Sequence, residues 1–239
     1  MKKVLNTSLI LATTFGFSQA LWANPASTEY VNSHITDAVN SVTAAMQKEV
    51  NTLLTQINNQ RITTHEVGEH YQGGIIFFVD SSRLHGLIAA THDANNGEGI
   101  QWQNGEAGEK VVNARASGIG AGQSNTRLII AQQTIDYQQG TFAALVAANF
   151  SVSSDGNTPC STTANNAFAC YGDWYLPSIY ELDLMRLNVT GANQLMPVPY
   201  WSSTEASVTE SWVEDFGEGA QRVLDKSQNT PHVRAIRAF

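Results

Sequence analysis

Residues 172–182 read Gly-Asp-Trp-Tyr-Leu-Pro-Ser-Ile-Tyr-Glu-Leu, and this stretch anchors the predicted core. Pro177 disfavours helix in the residue before it, and Ser178 with Glu181 forms a capping box that satisfies the first N–H groups of a helix. A helix is therefore predicted to begin after Ser178. Trp174 and Tyr175 are expected to pack beneath it as large buried side chains. The capping role accounts for Glu181 better than a catalytic role does.

The composition predicts one sizeable core rather than a disordered chain or a membrane protein. Of the 239 residues, 42% are hydrophobic and 14% are charged. The formal net charge is −8 at pH 7. This acidic balance argues against nucleic acid as a partner.

The first 23 residues have the pattern of a bacterial secretory signal. Lys2 and Lys3 form a basic start, a mostly apolar run reaches residue 17, and small residues near positions 20 and 23 offer a cleavage site. An uncleaved anchor is the weaker alternative, because polar residues interrupt the run. Cleavage removes two lysines and no acid, which takes the charge from −8 to −10. We expect a secreted or surface-exposed protein with no transmembrane segment after signal removal.

The chain contains two cysteines, Cys160 and Cys170. An even pair in an exported chain indicates a disulfide. A metal or redox role is the weaker alternative, because the Cys-x-x-Cys spacing is absent.

Residues 27–59 contain no glycine or proline and predict one long helix of roughly 50 Å. Their strongest apolar positions follow spacings of 4, 3, 4, 4, 3 and 4, an eleven-residue repeat that keeps them on one side of the helix. They are Ile35, Val39, Val42, Met46, Val50, Leu53 and Ile57. Because the segment is rich in polar residues of modest helicity, association should supply most of its stability. Self-association is favoured, and packing against the chain's own globular domain is the alternative.

The predicted domains are a signal peptide (1–23), a coiled-coil-like helical stalk (24–60) and a ligand-binding head (61–239). In the head, residues 75–79 predict a strand buried on both faces, followed by a second short strand at 86–90. Asn125 is predicted to cap a helix that runs to about residue 138, and residues 141–148 predict another helix. Strands are predicted at 200–203, 211–216, 222–224 and 232–239. The last is expected to pair with residues 75–79.

Three motifs resemble functional sites without meeting their requirements. The histidines at 65 and 70 are five apart, whereas the zinc-protease helix needs a spacing of four. The acidic loop at 93–98 lacks the EF-hand spacing, although a calcium site elsewhere in this loop region stays open. The glycine run at 118–122 follows no βαβ strand and is interpreted as a flexible turn. No catalytic residue, metal site or cofactor is predicted.

Positive charge is concentrated near the end of the chain. Four cations fall within sixteen residues, namely Arg222, Lys226, Arg234 and Arg237. They could form an anion site for sulfate or carboxylate. The favoured interpretation is that they pair with nearby acids such as Glu214, Asp215 and Asp225. Trp201 and Trp212 are further candidate ligand contacts, although tryptophans in such folds are often core residues.

A series of ordered blocks resembles the C-terminal domain family of the Legionella collagen-like adhesin, over roughly residues 68–239. The blocks are residues 71–77, 86–90, 101–102, 125–126, 173–178 with 181–182, 200–205 and 233–239. The resemblance implies a C-type-lectin-like or formylglycine-generating-enzyme-like core whose N- and C-terminal strands pair. It also implies exported trimers that bind sulfated glycans and support attachment. This chain departs from the family in having no Gly-X-Y collagen repeat and a strongly acidic mature chain, which leaves neutral glycans or protein ligands open.

The sequence therefore predicts an α+β protein with a C-type-lectin-like domain behind an N-terminal helical oligomerisation segment. The expected function is that of an adhesin-like module that binds a glycan or extracellular polyanion and is multivalent as a homotrimer. A formylglycine-generating-enzyme-like oxidoreductase and a non-binding structural surface protein are the alternatives.

Overall fold

The computed structural model describes residues 28–59, 63–105, 108–160, 169–189 and 195–239. The predicted signal peptide lies outside the described residues. The chain divides into two compact units, Met1–Arg61 and Ile62–Phe239.

In the first unit, helix α1 spans Thr28–Asn59, a length of about 48 Å at 1.5 Å per residue. Its polar side chains bond back to the helix itself: the hydroxyls of Thr36, Thr52 and Thr55 each donate to the carbonyl four residues earlier, at 2.8 Å. Such local bonds compete with helix formation rather than strengthening it. The intrinsic stability of α1 is accordingly modest.

The described part of the second unit, the head, is mixed α+β, with three further helices and nine strands. In chain order these are β1 (His70–Tyr71), β2 (Gly74–Val79), β3 (Gly86–Ala90), α2 (Ala121–Thr134), α3 (Ala143–Asn149), β4 (Val152–Ser153), β5 (Cys170–Tyr171), α4 (Ile179–Asn188), β6 (Pro199–Glu205), β7 (Glu210–Asp215), β8 (Ala220–Asp225) and β9 (Ile236–Ala238). They form three antiparallel sheets, in the orders β1-β2-β3-β9, β4-β5 and β6-β7-β8.

The four-stranded sheet lies at the centre of the core. Alternate residues of β2 and β3 enter two different apolar clusters: Ile76 and Ile88 join one, and Phe77 and Leu87 join the other. This confirms the prediction that residues 75–79 form a strand with apolar packing on both faces.

The predicted pairing of the last strand with residues 75–79 is wrong. Strand β9 pairs with β3, in the register Ile88 to Arg237. Both edges of β2 are already occupied, by β1 and β3, so the free edge of the hairpin is the one that accepts β9.

Helix α4 begins as predicted. The Ser178 hydroxyl accepts from the Glu181 N–H, and the Glu181 carboxylate accepts from the Ser178 N–H at 2.8 Å. Trp174 and Tyr175 are each 2% exposed. Residues 172–182 therefore anchor the core through the cap and the aromatic pair.

Helix α2 differs from its prediction. It begins five residues earlier, with Gly120 rather than Asn125 as its N-cap, and it ends at Thr134. Asn125 is instead buried within the helix, where its amide donates to the Ala116 carbonyl at 2.7 Å. The tertiary hydrogen bond explains this residue better than local capping does.

Cys160 and Cys170 are joined by a disulfide, as predicted, with their Cα atoms 5.7 Å apart. The bond connects the segment after β4 to the start of β5. It closes the short loop between the two cysteines.

Candidate binding surfaces

The first candidate surface is the apolar side of α1. Its seven predicted residues are each between 46% and 65% exposed, and Val31, 42% exposed, extends the same spacing by one step. We call these eight residues the apolar stripe: Val31, Ile35, Val39, Val42, Met46, Val50, Leu53 and Ile57. Aligned apolar residues left in water on one side of a helix are typical of an association surface.

The second candidate surface is a cleft of about 380 Å³ in the head. It lies between the segment after β3 and the region of α3 with the residues that follow it. Its polar lining includes Asn96, Thr141, Asn149 and Ser151, and its apolar lining includes Val146 and Phe150. We call it the amide cleft. Its volume falls within the range of small-molecule sites, about 300–1,000 Å³.

The polar lining of the amide cleft has unused hydrogen-bonding capacity. Within the described residues, the side chains of Asn96, Thr141, Asn149 and Ser151 make no hydrogen bond. All four residues are exposed. They can donate to or accept from a ligand without first breaking a bond within the protein.

One wall of the amide cleft has an unusual backbone. Asn95 and Asn96 both have φ of 57°, and Gly97 has φ of 78°. Left-handed conformations are unfavourable for residues other than glycine, and asparagine tolerates them best. Two such residues in succession at a cleft mark a candidate functional site.

A buried polar network holds this wall of the cleft in place. Asp93, 5% exposed, accepts from the Tyr200 hydroxyl at 3.1 Å, lies 3.0 Å from Nδ1 of His232 and pairs with Arg234 at 2.5 Å. Burial, with the neighbouring Asp93 carboxylate, raises the pKa of Tyr200. The next residue, Ala94, donates its N–H to the Val233 carbonyl at 2.9 Å. The segment that carries Asn95 and Asn96 is thereby tied to the C-terminal strand region.

Aromatic packing fixes the apolar lining. The ring of Phe150 lies edge-on to that of Trp174, with centroids 5.2 Å apart, and 5.1 Å from the ring of His92. Phe150 is thus held between the core anchor and the rim of the cleft.

Lys226 does not belong to an accessible basic site. Its side chain has no exposed surface, and its Nζ donates to Glu205 at 2.7 Å and to the Val208 carbonyl at 2.8 Å. Glu205 also accepts two backbone N–H groups, from Val112 and Asn113. Burial lowers the pKa of Lys226, an effect that the Glu205 carboxylate opposes.

Two of the remaining predicted cations also pair with internal acids. Arg234 is 6% exposed and bound to Asp93. Arg222 is more exposed but pairs with Asp215 at 2.8 Å and with Glu218 at 3.3 Å. The alternative of pairing with nearby acids therefore describes these residues better than an anion site does.

Arg237 is the exception, since it forms no ion pair with any described residue. Its guanidinium lies over the Tyr171 ring, 5.1 Å from the centroid, and donates to the Gln72 side chain. Burial lowers its pKa.

The two tryptophans proposed as ligand contacts occupy different environments. Trp201 has no exposed surface and donates its indole N–H to the Ile100 carbonyl at 2.7 Å, so it is a core residue. Trp212 is partly exposed on β7, opposite Val223 of β8. The six predicted ligand contacts are therefore not brought together into one site.

The glycine run at 118–122 forms a turn that leads into the first residues of α2. The N–H groups of Gly120 and Gly122 donate to the Glu181 carboxylate, at 2.7 and 3.1 Å, and Glu181 is fully buried. Burial raises the pKa of Glu181, although these bonds oppose the shift. Burial also raises the pKa of Tyr175, whose hydroxyl lies 3.4 Å from the same carboxylate. The backbone N–H groups at the start of α2 are thus already bonded to the buried Glu181 carboxylate.

The described residues contain no group of three or more His, Cys, Asp or Glu side chains placed to hold a metal ion. Among the described helices, none is both long enough and apolar enough to cross a membrane.

Sequence reasoning missed the amide cleft. Asn95-Asn96-Gly97 was a usable signal, because asparagine and glycine together favour left-handed turns. Phe150 and Asn149 carried no local signal of their own.

No protein-family model matches this chain, and a search of curated proteins finds no match.

Proposed function

We propose that this chain is an exported, adhesin-like bacterial protein in which α1 assembles three copies and each lectin-like head binds a glycan. The observation that carries the proposal is the apolar stripe, which is exposed along α1. Multivalency would then raise the overall affinity of heads that each bind weakly.

Copies of the same chain are the occupants that best suit the stripe. It continues for most of a 32-residue helix, and it repeats with the regularity of helices that pack along their length. Burying each apolar side chain contributes about 1.5–3 kcal/mol, which would offset the modest helicity of α1. The number three comes from the family resemblance.

Neutral glycans suit the head better than sulfated ones do. The chain has a net charge of −8, and three of the four predicted cations are paired with internal acids. A polyanion would meet long-range repulsion with little local compensation. Arg237 is the one of these four cations that forms no ion pair with a described residue, so it is the residue to replace when a sulfated ligand is tested.

The oxidoreductase alternative is less well supported. A thiol-dependent enzyme needs reactive or metal-binding cysteines, whereas both cysteines of this chain are joined in a disulfide. A structural surface protein remains the competing function, and a glycan array with no binding would favour it.

The test compares adhesion of the full chain with that of two matched variants, using beads coated with neutral polysaccharides. Met46→Glu/Leu53→Glu places two charges in the stripe, and Ala44→Glu/Asn51→Glu places the same two charges on the opposite side of α1. We expect the stripe variant to lose retention on the beads while the control keeps it. Equal retention of all three proteins would contradict multivalency through α1.

A further inference from the structure

We propose that the amide cleft is the ligand site of the head and that its ligand is an uncharged sugar, recognised through its hydroxyl groups. This inference rests on the proposed glycan-binding function and assigns it a position and a ligand class. It goes from glycan binding by the head as a whole to a specific set of side chains that contact the sugar.

The lining matches the two kinds of surface that a sugar ring presents. A pyranose has hydroxyl groups around its edge and C–H groups on its faces. Asn96 and Asn149 each supply an amide that both donates and accepts, and Thr141 and Ser151 supply hydroxyls. Phe150 and Val146 supply the apolar contact for the C–H faces. A purely apolar ligand would leave these polar groups unpaired.

The charge of the lining selects against ionic ligands. No lysine or arginine is among the described residues that line the cleft, so the one base in that lining is His92, and the permanently charged partners of phosphate, sulfate and carboxylate groups are absent from it. The carboxylate in the lining, Asp93, is already paired with Arg234 and His232. It is therefore not free to attract a cationic ligand.

The cleft is held in a binding-ready shape. The Asp93 network fixes the wall that carries Asn96, and the packing of Phe150 against Trp174 fixes the apolar lining. Fixing these groups before binding reduces the entropy lost when the ligand enters.

The test measures binding of four methyl glycosides to the full chain by ligand-observed NMR: those of glucose, mannose, galactose and N-acetylglucosamine. The variant is Asn96→Gly/Asn149→Ala, in which glycine keeps the left-handed backbone while both amides are removed. The matched control is Asn113→Gly/Asn188→Ala. Asn113 also has positive φ, at 60°, and Asn188, like Asn149, ends a helix.

We expect saturable binding of at least one glycoside to the wild type and the control. Loss of two hydrogen bonds should weaken the cleft variant by about ten-fold or more. A heparin oligosaccharide should not displace the glycoside. No saturable binding of any glycoside, equal binding by the cleft variant, or displacement by heparin would each overturn the assignment.

The assembly state separates this inference from the proposed function. A wild-type trimer that adheres to polysaccharide beads while the cleft variant adheres equally well would overturn the cleft alone. A monomeric wild type that is not retained on the beads but still binds a glycoside by NMR would overturn the trimeric adhesin alone. A monomer that shows neither retention nor saturable glycoside binding would overturn both.

Discussion

The ammonium group of Lys226 lies 2.7 Å from Oε1 of Glu205, and neither side chain has any exposed surface. The same ammonium lies 4.7 Å from the centre of the Trp102 ring. Glu205 in turn accepts the N–H groups of Val112 and Asn113 at 2.9 and 2.8 Å. A residue that looks like a candidate ligand contact in the sequence therefore joins the central loops to the β6-β7-β8 sheet. The charge of Lys226 therefore pairs with a buried acid of the fold and is not presented to a ligand.

Replacing Lys226 with methionine should destabilise the head by about 3–5 kcal/mol, because Glu205 would remain buried without its partner. Urea unfolding measures the change. Lys226→Met/Glu205→Gln should be less destabilised than the single variant, since the uncompensated charge is removed.

The exposed Arg127→Met is the control for this series and should change the free energy of unfolding by less than about 0.5 kcal/mol. A Lys226→Met protein as stable as this control would show that the buried pair contributes little.

Glu181 predicts a specific pH dependence. Burial raises its pKa above the ordinary value of 4.5 in the folded protein. Between pH 4.5 and the folded pKa, Glu181 is thus protonated in the folded chain and ionised in the unfolded chain. The stability from this proton is complete below pH 4.5 and is lost as the pH rises through the folded pKa.

Glu181→Gln removes this titration, so the wild-type free energy of unfolding should fall relative to the variant as the pH rises from 4.5 toward neutrality. Urea unfolding over this range measures the difference. The variant should also be less stable by about 1–3 kcal/mol, since its amide cannot accept all the N–H groups now bonded to the carboxylate. A stability difference that grows with rising pH would contradict the direction assigned to the pKa.

The sequence predicted those elements whose signals are local. The capping box at Ser178, the apolar run of β2 and the cysteine pair each specify their structure within a few residues. The partner of β9 and the burial of Lys226 depend on which distant segments meet. No spacing within residues 222–237 distinguishes a lysine facing Glu205 from a lysine facing solvent.

The amide cleft was missed for a related reason. Its walls come from residues some fifty positions apart, around Asn96 and Asn149. Only the left-handed turn at Asn95 and Asn96 was visible locally. The apolar stripe, in contrast, lies on one helix, and its spacing predicts its surface directly.

Removing the disulfide should separate its structural role from a catalytic one. Cys160→Ser/Cys170→Ser should lower the free energy of unfolding by about 2–3 kcal/mol, because the closed loop is short. Glycan adhesion and solution mass should not change.

Thiol titration of the unfolded wild type, without reductant, should find no free cysteine. Two titratable thiols would revive the oxidoreductase alternative. A loss of adhesion in a variant that remains folded would place the disulfide loop in the binding function.

The most direct test of the account is the solution mass of the purified full chain, measured by light scattering beside Met46→Glu/Leu53→Glu and Ala44→Glu/Asn51→Glu. The account predicts a mass three times that of one chain for the wild type and for the opposite-face control, and a single-chain mass for the stripe variant. A single-chain mass for the wild type, or a trimer that survives both stripe charges, would contradict assembly through α1.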